Sequence, residues 1–359
     1  MFLVTVGIVL LVILVLQNVH TNDYSLTPGD ATPVAPLVKI KGLSTNPHAD
    51  KIMLADVYLS SLSAWQWLTA HFQSHVEFVN ASELVEPGIP TDELNAQGFL
   101  EMSDSKQAAE VAALRALGWK LTAVSSGAVV TGVVAPSPAR KAGLSVADQV
   151  VGVNDTTIRS ACGLIGAIHP LRAGTVVHLK VAKAHINAKG IITWGSPRVL
   201  TVTTAAAPSD QGSSGCPGVS GPNRSWLGIE PEDGVRYALP GSISIRTSYI
   251  GGPSAGLAMT LTLINKLSAG TLTGHRVVAA TGTIDANGNV GDVGGVAEKT
   301  VAVERAGAQI FFVPKVELPV ALAAAQSGLR VIGVNTLGQA LRDLHALGGD
   351  TPIALTTPR

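Results

Sequence analysis

The feature that most constrains the fold is an apolar run over residues 1–16, in which no charged side chain occurs. A helix that crosses a bilayer needs about 17–25 predominantly apolar residues, whereas a helix of a globular core normally keeps a polar face. The run therefore predicts a transmembrane anchor over residues 1–19. A cleaved signal peptide is the alternative, but residues 17–36 show no A-x-A cleavage pattern.

The remaining chain is long enough for more than one folded domain. It has 359 residues, 46% of them hydrophobic and only 14% charged, which excludes an intrinsically disordered protein. Lys plus Arg and Asp plus Glu both number 25, so no positive field would hold nucleic acid. Cys162 and Cys216 are too few for a Cys-rich zinc site. They would pair in an oxidising compartment or remain buried thiols, and the sequence leaves both open.

Composition divides the chain into segments. Residues 20–36 are rich in Thr, Pro, Asn and Asp and predict a spacer, and residues 37–120 predict a mixed α/β segment without chemistry of its own. In that segment a helix is predicted from Ser103 to Leu117, with Gly118 as its stop. His71 and His75 are one helical turn apart but lack a third ligand, so no metal site is expected. Residues 206–224, rich in Gly, Ser and Pro, predict a linker.

Residues 137–158 carry a pattern found in peptide-binding modules. They read SPARKAGLSVADQVVGVNDTTI and resemble the PDZ domain of bacterial proteases, with Ala147 and Asp155 where glycines are usual. The resemblance implies a PDZ domain over residues 121–205 that captures an extended peptide at a sheet edge. The loop matched to peptide binding is the run Ser126, Gly127, Ala128 and Val129.

A serine follows a strand on a glycine-rich turn in the last third of the chain. Residues 242–250 alternate like a strand, residues 251–256 read GGPSAG, and a helical pattern continues to about Leu267. Backbone N–H groups of Ser254 and Ala255, at the start of a helix, could stabilise an oxyanion. An ordinary helix-capping serine is the simpler interpretation of this turn alone.

GPSAG also fits the G-x-S-x-G nucleophile elbow of α/β-hydrolases. That enzyme class needs an acid and a histidine downstream, and Asp285 or Asp292 with His345 would have to serve. No HGGG-like segment precedes the serine, and too little chain surrounds it for a large parallel sheet. The motif fits this class, but the domain does not.

Two later segments favour a different enzyme. Residues 279–299 read AATGTIDANGNVGDVGGVAEK and residues 305–315 read RAGAQIFFVPK. With GGPSAG they resemble the Lon protease domain, a serine protease with a Ser–Lys dyad. The resemblance implies a domain over residues 225–349, followed by a tail over residues 350–359. It also implies Ser254 as nucleophile, Lys299 as general base and Thr281 as a support for the lysine.

A lysine can act as a base only when its amine is neutral, which requires a pKa well below the usual value of about 10.4. Burial lowers the pKa by disfavouring the charged form. Small and apolar residues on both sides of Lys299 are consistent with burial. Glu298 should point elsewhere, because a close carboxylate would raise the pKa of the lysine.

The whole pattern predicts an α/β (α+β) multidomain protein with an N-terminal transmembrane helix, a PDZ domain and a C-terminal Lon-type proteolytic domain. It resembles the PDZ-containing Lon-like membrane proteases of Gram-positive bacteria. That resemblance implies a single-pass cell-membrane protein with its catalytic part outside the cytoplasm, and a homo-oligomeric ring. No G-x-x-x-x-G-K-[ST] motif occurs, so cleavage would be independent of ATP and limited to unfolded or flexible polypeptides. No cofactor is expected, and a catalytically silent PDZ adaptor is the rival hypothesis.

Overall fold

The computed structural model describes residues 2–47, 51–73, 75–81, 90–208, 215–216, 224–247, 250–326 and 328–358. Its helices are α1 (Phe2–Asn18), α2 (Ala64–Ala70), α3 (Thr91–Ala116), α4 (Pro138–Lys141), α5 (Ala161–Ile168), α6 (Gly256–Leu267), α7 (Val296–Arg305), α8 (Leu318–Ala324) and α9 (Leu337–Ala346). The strands of the first half are β1 (His20–Pro33), β2 (Val38–Lys41), β3 (Ile52–Ser63), β4 (Glu77–Asn80), β5 (Ala123–Val133), β6 (Gln149–Val153), β7 (Thr156–Thr157) and β8 (Val176–Ala182). They are followed by β9 (Ala184–Ile186), β10 (Ile192–Trp194), β11 (Arg198–Thr203), β12 (Ala205–Ala206), β13 (Ser225–Trp226), β14 (Ile229–Tyr237) and β15 (Ser242–Ile245). The last strands are β16 (Ser268–Ala269), β17 (Val278–Ala280), β18 (Thr283–Ile284), β19 (Val290–Gly291), β20 (Ile310–Pro314), β21 (Arg330–Val334) and β22 (Ile353–Ala354).

The apolar run at the start of the chain forms α1, a helix of 17 residues. Its apolar side chains are exposed, with Phe2 and Leu3 each more than 80% accessible. Among the described residues no helix combines the length and the apolar character that crossing a membrane requires. The transmembrane anchor predicted over residues 1–19 is therefore not supported.

The predicted spacer is wrong, because most of residues 20–36 form the long strand β1. This strand pairs antiparallel with β3 on one side and with β4 on the other. Its pairing with β3 shifts register between Pro28 and Ala31, a bulge that accommodates the proline. A side chain at Gly29 would meet the backbone carbonyl oxygen of Asp56 at 2.7 Å, so the glycine allows the two strands to approach. Pairing with distant strands has overridden a loop-like composition.

A six-stranded sheet unites the two ends of the chain. Its order is β21-β20-β17-β3-β1-β4, and β3, β17, β20 and β21 run parallel. The strand β3 pairs directly with β17 through Ile52 and Val278. The segment predicted as a separate N-terminal unit over residues 37–120 therefore belongs to the same domain as the GGPSAG helix.

Helices cover both faces of this sheet. On one face α3 and α6 pack against Val278 and Ala280, and on the other α7 packs against Ala279. The alternation follows the two-residue period of a strand. The helix α3 begins at Thr91 rather than at Ser103, which lies inside it, and its predicted end before Gly118 is confirmed by the φ of +92° at that glycine.

A second sheet, of order β11-β8-β6-β5-β14 with β7 beside β6, forms the domain in which the PDZ-like pattern lies. Its last strand, β14, pairs along β5 from Ile229 opposite Val133 to Tyr237 opposite Ala123. The predicted boundaries at 205 and 225 are therefore wrong, since β14 belongs to this sheet. Directly afterwards β15 pairs with β2, which returns the chain to the first domain. The domain with the second sheet is an insertion between α3 and β15.

The two cysteines pair. A disulfide joins Cys162, on α5, to Cys216, across a sequence separation of 54 residues. Cys216, which lies in the linker predicted over residues 206–224, is thus bonded covalently to helix α5 of the inserted domain.

Candidate active site

The GGPSAG segment forms a turn that leads into α6, as predicted. Gly252 has a φ of +82°, a conformation that favours glycine, and its N–H donates to the carbonyl of Gly98 at 2.9 Å. Ser254 is half-buried, and α6 begins two residues later at Gly256. The local prediction of a strand, a glycine-rich turn and a helix is confirmed from β15 to Leu267.

Groups that follow β17 hold the main chain of Ser254. The N–H of Gly282 donates to the Ser254 carbonyl at 2.9 Å, and the Thr281 hydroxyl donates to the same oxygen at 3.2 Å. Thr281 is fully buried. Its described partner is the backbone of the serine, and its predicted role towards Lys299 stays a prediction.

Backbone donors remain available where the sequence predicts an oxyanion site. The N–H groups of Gly256 and Leu257 donate to the carbonyls of Pro253 and Gly282. Within the described ranges the N–H groups of Ser254 and Ala255 have no carbonyl partner. Backbone N–H groups at the start of a helix that lack a carbonyl partner can donate hydrogen bonds to a developing negative charge.

Helix α3 supports the turn from outside, which the sequence did not reveal. The hydroxyl of Ser105, itself buried, donates to the Pro253 carbonyl at 2.9 Å. A side chain at Gly256 would lie 3.1 Å from the Ser105 hydroxyl oxygen and 2.9 Å from Ile284. Only the helical pattern of residues 103–117 was visible in the sequence, and no local signal links it to a turn more than a hundred residues away.

Lys299 lies on α7 and is only 3% exposed. Burial lowers the pKa of its amine to about 8, while the nearby carboxylates of Glu317, Asp56 and Glu298 act in the opposite direction. The predicted burial is confirmed. The expectation that Glu298 points elsewhere is only partly met, since its charge still raises the pKa of the lysine, although less than the other two.

Ser254 lies in the turn before α6 and Lys299 lies on α7, and these two helices cover opposite faces of the first sheet. Within the described residues no hydrogen bond joins the Ser254 hydroxyl to the Lys299 amine. The dyad therefore stays a prediction, for which the structure gives the burial of Lys299.

The residues of the α/β-hydrolase alternative are used elsewhere. A ring nitrogen of His345 lies 3.0 Å from the carbonyl oxygen of Gly349. Asp285 accepts hydrogen bonds from the backbone of Asn287 and from both the backbone and the side chain of Asn289. Each therefore stabilises a local turn.

The predicted peptide-binding run from Ser126 to Val129 lies within β5, which has β14 on one side and β6 on the other. A side chain at Gly127 would meet the carbonyl oxygen of Val150, on β6, at 2.7 Å. A strand with neighbours at both edges cannot accept a peptide as a further strand. The sheet instead ends at β14, which α5 contacts through a hydrogen bond from the Ala161 N–H to Asp233 at 2.7 Å.

Comparison with protein families agrees with this organisation. Residues 249–344 match the Lon protease (S16) C-terminal proteolytic domain, and residues 115–189 match a PDZ domain. The chain thus combines a segment similar to the proteolytic domain of Lon proteases with a segment similar to a PDZ domain. Both matched segments were predicted from sequence motifs, and the first contains Ser254, Thr281 and Lys299.

Curated relatives of this Lon-like chain are themselves Lon proteases. The Lon protease of Rickettsia conorii is 36% identical over 105 residues, which cover 28% of this chain and 13% of that protein. Lon protease 1 of Herpetosiphon aurantiacus is 31% identical over 132 residues, covering 36% and 16%. Lon protease 2 of Syntrophobacter fumaroxidans is 24% identical over 308 residues, covering 83% and 37%. The chain therefore spans well under half the length of these relatives.

Proposed function

We propose that this chain is an ATP-independent serine endopeptidase that cleaves unfolded or flexible polypeptides with Ser254 and Lys299. The observation that carries the proposal is the burial of Lys299, which lowers its pKa to about 8 inside the segment similar to Lon proteases. Burial removes the hydration of a charged amine and so favours the neutral form, which is the form that a general base requires.

The proposed reaction has two steps. Neutral Lys299 removes the proton of the Ser254 hydroxyl as the oxygen attacks the peptide carbonyl, and the N–H groups of Ser254 and Ala255 stabilise the oxyanion. The lysine then gives its proton to the departing amine, which leaves an acyl-enzyme. Water, deprotonated by the same lysine, hydrolyses the ester and restores the serine. The two side chains must come within hydrogen-bonding distance in the acting state.

The PDZ domain is proposed to bind substrate or a regulatory peptide at β14. That strand ends the sheet and α5 lies beside it, while the Gln107 side chain occupies the Val235 carbonyl, so a peptide strand would add along the part of β14 before Val235. Recognition at a chain terminus or a flexible segment would suit an enzyme whose sequence contains no ATP-binding loop motif.

The disulfide between Cys162 and Cys216 favours an oxidising compartment, so we place the catalytic part outside the cytoplasm. A homo-oligomeric ring is proposed by analogy with Lon-type domains alone.

The test uses the purified chain with a denatured, quenched-fluorescent casein in the absence of ATP. Cleavage should disappear in Ser254→Ala and Lys299→Met and persist in His345→Ala. Cleavage that survives Lys299→Met but not His345→Ala would favour the α/β-hydrolase mechanism. If the wild type cleaves nothing between pH 7 and pH 10 and a fluorophosphonate probe does not label Ser254, the PDZ adaptor becomes the better account.

A further inference from the structure

A cavity of about 750 Å³ lies between α3, β15 and the turn that joins β9 to β10. Lys106 and Glu110, one helical turn apart on α3, form part of one wall. Ile245, Thr247 and Ile250 line it from the segment that runs from β15 towards the nucleophile turn. The cavity therefore borders the stretch of chain that leads to Ser254.

One edge of β15 carries backbone groups without a strand partner. Among the described residues β15 pairs with β2 alone. The N–H of Arg246 donates to the Leu37 carbonyl at 3.0 Å, so this residue directs its backbone groups towards the β2 side. Because successive residues of an antiparallel strand alternate in direction, the N–H and C=O of Ile245 point to the opposite edge. Such an edge is a template for an added strand.

Thr247 provides a second polar group without a partner. Its side chain is only 4% exposed, and its hydroxyl oxygen has no hydrogen-bond partner in the described part of the chain. Buried hydroxyls are normally paired, and this one lines the cavity just after the free edge of β15. An unpaired strand edge and an unpaired buried hydroxyl thus occur side by side.

We propose that this cavity is the cleft in which a substrate polypeptide adds to β15 as an extended strand. The peptide backbone would pair with Ile245 and with the hydroxyl of Thr247, and its side chains on one face would meet Lys106 and Glu110. The inference rests on the proposed function and names the form in which substrate reaches Ser254. A polypeptide is the ligand because its backbone matches a strand edge and because the lining of the cleft reaches Ile250, directly before the GGPSAG turn.

Backbone methylation tests the pairing. A short quenched-fluorescent peptide from a site that the wild-type chain cleaves in denatured casein is synthesised with one N-methyl amide at each position in turn. Loss of a backbone hydrogen bond should lower kcat/KM by about tenfold at alternate positions and leave the intervening ones unchanged. Equal effects at neighbouring positions, or none at all, would overturn the strand pairing.

A matched pair of variants tests the hydroxyl. Thr247→Val keeps the shape of the side chain and should raise KM by about fivefold with kcat within twofold of wild type. Thr201→Val, on β11 of the PDZ domain, should leave both constants unchanged. An unchanged KM in Thr247→Val, with a wild-type thermal unfolding curve, contradicts the cleft.

Labelling of Ser254 by a fluorophosphonate distinguishes a failure of the proposed cleft from a failure of the proposed protease activity. If labelling and cleavage persist while the methyl scan is flat, the cleft is wrong and the protease proposal stands. If neither labelling nor cleavage occurs in the wild type, the proposed function itself fails.

Discussion

The burial of Lys299 makes the pH dependence of the proposed reaction calculable. An amine with a pKa of about 8 is neutral in about one molecule in ten at pH 7, whereas an amine with the ordinary value of 10.5 is neutral in roughly one in 3000. Burial thus increases the neutral fraction about 300-fold at pH 7. Because only the neutral amine acts as a base, kcat/KM should rise about tenfold from pH 7 to a plateau above pH 9.

The carboxylate of Glu317 provides a perturbation of known sign. Among the neighbouring charges it does most to raise the pKa of Lys299, against the larger opposite effect of burial. Glu317→Gln removes that charge and keeps an oxygen that can accept from the Val293 N–H, which Glu317 binds at 2.9 Å. The pKa of Lys299 should fall, so activity at pH 7 should increase. The increase cannot exceed about tenfold, since the neutral fraction cannot exceed one.

The assay is kcat/KM for a quenched-fluorescent peptide measured from pH 6 to pH 10, with the circular dichroism spectrum recorded at each pH. Glu304→Gln is the control, because Glu304 lies on the same helix as Lys299 but does not contribute to its pKa. The control should reproduce the wild-type profile. A profile of Glu317→Gln that is unmoved or shifted to higher pH would refute the assignment of Lys299 as the base.

Three further outcomes are expected. Ser105→Ala should remove one of the two hydrogen bonds that the Pro253 carbonyl accepts, lowering the free energy of unfolding by about 1 kcal/mol and lowering kcat with KM unchanged, as thermal unfolding and steady-state kinetics would measure. Replacing Cys162 and Cys216 by serine should destabilise the PDZ domain by about 4 kcal/mol, measured by urea unfolding, and reductant should affect the wild type but not this variant. Gly282→Ala should slow fluorophosphonate labelling of the nucleophile strongly, because Gly282 has a φ of +143° and its N–H holds the carbonyl of the serine.

Local chemistry explains which parts of the site could be predicted. A strand, a glycine-rich turn and a helix around Ser254 are encoded by consecutive residues, and the small and apolar flanks of Lys299 indicate its burial. The PDZ-like pattern over residues 137–158 likewise lies within one short segment. Each of these predictions depends on neighbours in sequence.

Long-range pairing explains what could not be predicted. Residues 20–33 have the polar and proline-containing composition of a loop, yet they form a strand because β3 and β4 pair with both of its edges. The support that Ser105 gives to the turn depends on α3 and α6 packing together. The predicted domain start at residue 225 is wrong because β14 pairs with β5. In each case the deciding partner is distant in sequence.

The insertion of the PDZ domain also sets the order in which the protease domain can form during synthesis. Ile52 on β3 must wait for Val278 on β17, about 230 residues later, which at about 5–20 residues per second takes roughly 10–45 s. The PDZ sheet, whose strands lie between residues 123 and 237, is complete earlier and can fold first. Thr281 and Gly282, which hold the carbonyl of Ser254, directly follow β17 in the sequence. The nucleophile turn therefore cannot be assembled until these residues have been synthesised. Under the proposed function, a nascent chain would therefore be inactive until residue 282 has been made, because the Gly282 N–H holds the carbonyl of Ser254.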